Sequence, residues 1–168
     1  MYRHMKLGAS LLLLATTAGA EVVSSSENHF VLRHEAESTL PPHALWDRLI
    51  QPSTWWHPDH SYSGKAENLS LDPTAGGLWR EDWEGGSVSH GRVLYVQEGK
   101  TIRLEAPFGP LQELGVYVIW TINISENEDG STVVFDEVAN GPSTANLPTM
   151  AKAVDGVKAE AIRRLTMP

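Results

Sequence analysis

The sequence predicts an α+β fold, a curved antiparallel sheet of about seven strands clasping a long C-terminal helix, with one or two short helices after the first strand. Three observations carry that prediction. Pro148 to Leu165 is the one long helical pattern, because Met150, Val154, Val157, Ala161 and Leu165 recur at intervals of three and four. Ahead of it, β-branched and alternating runs are separated by turn signals such as Asp72-Pro73, Gly85-Gly86 and Gly99-Lys100, which favour hairpins. Val116, Val118, Trp120, Ile122 and Ile124 share one parity, opposite Thr121 and Asn123, so one face of their strand is buried.

Taken in order, the chain opens with Arg3, His4 and Lys6 ahead of the apolar run Leu7 to Ala18, closed by Ala18-Gly19-Ala20. That is the pattern of a signal peptide over residues 1–20, cleaved after Ala20. The run falls short of the roughly 20 apolar residues that a membrane-spanning helix needs, so a periplasmic or secreted product without a stable membrane anchor is expected. Residues 21–27, with Ser24 to Ser26, read as a flexible linker, and residues 28–168 as one domain.

Within the domain a first strand covers Asn28 to Ser38. Pro42 then starts a short helix with apolar positions Ala44, Leu45, Trp46, Leu49 and Ile50, and Pro52 stops it. The segment Trp55-Trp56-His57-Pro58-Asp59-His60 has neither period and reads as a loop. Strands follow at Ala66 to Leu71, Gly77 to Trp83, Val88 to Gln97 and Thr101 to Ala106. Phe108 to Leu111 interrupts them before two long strands, Gly115 to Glu126 and Ser131 to Ala139. In the last helix Pro148 suits the first turn, Asn146 offers a local cap, and Arg163 and Arg164 complement the dipole. Gly156 sits mid-helix at a cost of about 1 kcal/mol relative to alanine, unless a close approach demands it.

The absence of cysteine removes disulfides and the thiol of a lipid-anchored precursor. The formal charge of -8 becomes more negative once Arg3 and Lys6 are removed, which disfavours nucleic acid and anionic membrane surfaces as partners.

Several short pieces share a further pattern: Pro41-Pro42-His43-Ala44-Leu45-Trp46, Leu71-Asp72-Pro73 with Gly76-Gly77, His90-Gly91-Arg92-Val93, Gly109-Pro110-Leu111 and Val154-Asp155-Gly156-Val157. In this order, across Phe30 to Leu165, they make the chain resemble the START-like superfamily, also called SRPBCC or helix-grip proteins. The likeness is to its branch similar to heat-shock ATPase activators and polyketide cyclases. The resemblance implies a sheet gripping the last helix with a hydrophobic cavity between them. It implies no single activity, because one fold hosts lipid carriers, cyclases and co-chaperone modules.

Candidate ligand-binding residues are Trp55, Trp56, Trp79, Glu81, Trp83, His90, Trp120 and Phe135. Five of the six tryptophans precede residue 84, and aromatic walls suit flat or greasy ligands. Two-residue periodicity places Trp79, Glu81 and Trp83 on one face. Two readings of Glu81 stay open: a carboxyl between indoles whose pKa rises so that it holds a proton, or a glutamate in water or paired with Arg92 or Arg103. His90 shares the parity of Leu94 and Val96 and is the other acid-base candidate. Trp46 and Trp120 also fit simple core packing. His57, Asp59 and His60 are side chains that ligate zinc, but without cysteines or a second histidine pair they read as a solvated loop, and no metal is expected. No nucleophile elbow or thiol is present, so no catalytic residue is assigned and no cofactor is expected. The first expectation is an exported, non-catalytic protein that binds a hydrophobic or aromatic small molecule, lipid or polyketide-like. The alternatives are a cyclase- or dehydratase-type enzyme using Glu81 or His90, and a protein-interaction module.

Overall fold

The computed structural model describes residues 19–167, with side chains from Val22 onward. The signal-peptide reading of residues 1–20 therefore lies outside the described residues, except for Gly19 and Ala20. Eight strands and three helices follow in the order β1 (Gly19–Ser26), β2 (His29–Ser38), α1 (Pro42–Leu49), β3 (Leu69–Leu71), β4 (Leu78–Trp83), β5 (Gly86–Gln97), β6 (Thr101–Glu105), α2 (Pro110–Glu113), β7 (Tyr117–Asn127), β8 (Gly130–Asn140) and α3 (Leu147–Thr166). The strands form one curved antiparallel sheet in the order β1-β2-β8-β7-β6-β5-β4-β3. Among the described residues no helix is long and apolar enough to cross a membrane.

The predicted meander is present, with one strand more than expected. Glu21 to Ser26, expected as linker, belong to β1, which pairs with β2 from Gly19↔Glu35 to Ser26↔His29. An edge strand needs only backbone partners, and a serine-rich stretch supplies them without an apolar pattern. On β7 the predicted parity holds: Val118, Trp120, Ile122 and Ile124 are buried.

Helix α3 lies across β1, β2 and β8, and α1 packs against β7, β8 and α3. Two apolar clusters hold the ends of α3. Leu147 and Ala151 join Phe30, Leu32, Val118 and Ala139, while Ala161, Ile162 and Leu165 join Leu45, Leu49, Ile122 and Phe135. Polar ties add to them: His34 Nε2 to Asp155 Oδ1 at 2.9 Å, Arg48 donating to the Arg164 carbonyl at 3.0 Å, and Ser38 Oγ donating to the Thr166 carbonyl at 3.2 Å.

One expectation about α3 is corrected and one that was left open is decided. Asn146 is not a side-chain cap; it adopts the left-handed region (φ 51°, ψ 49°), which asparagine tolerates, and its carbonyl accepts from Thr149 N and Met150 N. Gly156 is exposed, and a Cβ there would meet nothing within 4 Å, so no close approach explains it.

Candidate functional site

Between the two clusters one side of α3, through Met150, Val154, Val157 and Lys158, lines a cavity of about 480 Å³. Its walls come from the loop Trp56 to Tyr62, from His90 on β5, from Ala106 to Leu111, from Glu137 on β8, and from Met150, Val154, Val157 and Lys158 on α3. One wall is a stack of rings. Phe108 lies 5.3 Å from Trp56 at 29° and 5.2 Å from His90 at 13°, and Trp79 meets both Trp56 and Phe108 edge-on.

Seven of the eight candidate residues divide into three positions, and Glu81 takes a fourth. Trp56 and His90 line the cavity. Trp55, Trp79, Trp120 and Phe135 are buried behind it as core, with Trp55 Nε1 donating to the Leu49 carbonyl and Trp120 edge-on to Phe135 at 5.0 Å. Trp83, half-buried near the end of β4, stacks on Tyr62 at 6.5 Å and 8°.

Glu81 is fully buried, and neither reading of it from the sequence survives. Its carboxylate accepts from Tyr62 N at 2.9 Å, from Ser63 N at 2.5 Å and from His90 Nε2 at 2.9 Å, with no arginine among these partners. Burial alone pushes the group up, but the bonds from Ser63, Tyr62 and His90 outweigh it and hold the pKa below the ordinary carboxylate value. Glu81 is therefore an ionised anchor that fastens the Tyr62-Ser63 loop to β4.

His90 owes its position to a β-bulge. Trp79 pairs with Gly91 and Arg80 with Ser89, so His90 is the extra residue on β5, and its ring lines the cavity. The bulge needs Gly91: a Cβ there would sit 2.9 Å from the Glu105 carbonyl. The parity that joined His90 to Leu94 breaks at this bulge: His90 and Gly91 are both buried, Arg92 is exposed and Val93 buried, so Leu94 faces outward. Burial pushes the His90 pKa down and Glu81 partly offsets this, which favours the neutral ring near neutrality.

Lys158, which lies outside the stripe Met150, Val154, Val157, Ala161 and Leu165, is buried under the helix. Its Nζ lies 2.6 Å from Glu137 Oε2 and 3.2 Å from the Trp120 ring centroid. Burial lowers its pKa, with Glu137 opposing. The signal was available: Lys158 stands four residues after Val154, three before Ala161 and seven before Leu165, inside the buried stripe. Phe108 and Glu137 were also missed, Phe108 because it sits in an irregular turn and Glu137 because a carboxylate on a strand ordinarily faces water.

His57 caps a short 3₁₀ turn, Pro58–His60, whose Asp59 and His60 line the cavity. Asp59 N donates to His57 Nδ1 at 3.1 Å, and among the described residues no group of three or more ligating side chains is placed to hold a metal ion. The arrangement as a whole is an aromatic cleft with an ionised carboxylate–imidazole couple in one wall and a lysine–glutamate pair in another.

No protein-family model and no curated protein matches the chain. Solved structures do. A Rhizobium leguminosarum protein superposes with a TM-score of 0.58 at 17% identity, covering 90% of this chain and 96% of its own. A Mesorhizobium loti protein gives 0.57 at 16%, covering 81% and 93%, and a Rhodobacter sphaeroides protein 0.56 at 18%, covering 88% and 96%. These likenesses establish a sheet-dominated α+β fold compatible with a helix-grip architecture.

Proposed function

We propose that this is a START-like carrier that holds a hydrophobic or aromatic small molecule between the sheet and the middle of α3. One observation carries the reading: the two ends of α3 are sealed by apolar clusters while its middle faces a ring-lined cavity of about 480 Å³. That volume lies within the roughly 300–1,000 Å³ of small-molecule sites. Apolar contact with Trp56, Phe108, Met150 and Val154 supplies the driving force at about 25 cal/mol per Å² removed from water, less the cost of association. The expected partner is a small molecule rather than nucleic acid, and the site belongs to an exported protein.

The test is calorimetric titration with 1-methoxynaphthalene of the native chain and of Val154→Trp, which fills the cavity. Saturable one-site binding, lost in a variant that keeps its circular dichroism spectrum, is expected; equal binding by both proteins contradicts the location. A second reading, a cyclase- or dehydratase-type enzyme, is favoured by the Glu81–His90 couple beside the cavity. Release of an altered compound on multiple turnovers would select it over simple carriage.

A further inference from the structure

Resting on the carrier reading, we propose that His90 Nδ1 is the hydrogen-bond acceptor of the cavity and selects planar ligands that carry a neutral hydroxyl, phenols above all. Because Nε2 lies 2.9 Å from the ionised Glu81 carboxylate, the proton of a neutral ring belongs on Nε2 and the lone pair on Nδ1. Glu81 is held in turn by Tyr62 N and Ser63 N, so the tautomer is fixed by backbone. Nδ1 has no partner among the described residues.

Of the other polar side chains that line the cavity, Asp59, His60, Tyr62 and Glu113 belong to its loop and turn walls, and the buried ones are engaged. Lys158 and Glu137 form a pair, and Ser61 Oγ donates to the Pro58 carbonyl at 2.6 Å. An uncommitted acceptor in an apolar cleft favours a ligand that brings a donor, and it penalises an isostere that lacks one. Flatness follows from the wall: His90, Phe108 and Trp56 present stacked rings, against which an aromatic ligand lies face-on. The bulge supports a site rather than incidental packing, because an extra residue re-aims this one side chain toward the cavity.

The experiment compares 1-naphthol with 1-methoxynaphthalene, alike in shape but differing in the donor, by titration calorimetry on the native chain and on His90→Phe at pH 7.5. The native protein should hold 1-naphthol roughly ten-fold tighter. His90→Phe, which keeps a ring beside Phe108, should abolish the difference in affinity between the two probes. Long-range ¹H–¹⁵N correlation of the native imidazole gives a reading independent of any variant. An unprotonated Nδ1 that shifts on addition of 1-naphthol and not of its methyl ether is expected. Equal affinities in the native protein, a preference that survives in His90→Phe, or a protonated Nδ1 overturns the proposal and leaves the carrier reading standing. Failure of both probes to bind overturns the carrier reading and the proposal with it.

Discussion

Lys158 shows how much one side chain under the helix decides. Lys158 and Glu137 side chains are each 3% exposed, and neither Nζ nor Oε2 has a hydrogen-bond partner apart from the 2.6 Å contact with each other. Removing one member strands the other as an unpaired group, which for buried pairs costs about 3 kcal/mol or more, whereas removing both is nearly neutral. Lys158→Met should therefore lower unfolding stability by about 3 kcal/mol in urea, and Lys158→Met with Glu137→Leu should recover most of it. Non-recovery in the double variant contradicts the pairing.

Protonation acts at the same scale. Burial holds His34 and His90 below their ordinary 6.5, with Asp155 and Glu81 partly opposing. The unfolded chain then takes up protons before the folded one does, so this contribution is complete above about 6.5 and is lost as pH falls below it. Glu81, depressed below its ordinary 4.5, extends the loss further into acid. The urea midpoint at pH 5 should lie below that at pH 7.5; an equal or higher value at pH 5 counts against the buried imidazoles. The site was legible at residue scale only in outline. Strand parity brought Trp79 and Glu81 to one face, but no pattern in the sequence reveals that Glu81 finds His90 across a bulge, since the partner is fixed by an extra residue on β5.

Among the elements, α3 was the most legible, because apolar periodicity and an N-terminal proline agree over its length. Its orientation was less so. The stripe drawn through Met150, Val154 and Val157 omits Lys158, and only burial under Trp120 and Glu137 shows that the face is wider. Gly156 lies on the exposed side with nothing near it, so Gly156→Ala should raise stability by about 1 kcal/mol. A loss of stability would mean that the glycine serves a contact not visible in the free chain. The hairpins were legible because glycine and proline mark their turns. Strand β1 was not, since its pairing with β2 uses backbone groups that any sequence supplies.

For the molecule as a whole, the curved sheet meets α3 at the two apolar clusters and through Asp155 and Lys158, and the cavity lies along Met150, Val154 and Val157 between the helix, the Trp56–Tyr62 loop and the Ala106–Leu111 turn. Tryptophan abundance pointed to aromatic walls, yet most of those rings form the core behind the cavity, leaving Trp56 and Phe108 to face it. The core rings meet edge to face, Trp55, Trp56 and Trp79 at centroid distances of 5.4 to 5.7 Å, which makes a rigid back wall rather than a collapsible one. Rigidity lets the space persist without a ligand and lowers the cost of filling it.

Native mass spectrometry of the purified chain, before and after addition of one equivalent of 1-methoxynaphthalene, tests the existence of that site most directly. The account predicts a species heavier than the polypeptide by one small molecule, either carried from the cell or taken up from the probe, and lost when Val154→Trp fills the cavity. The bare polypeptide mass in both spectra would contradict it.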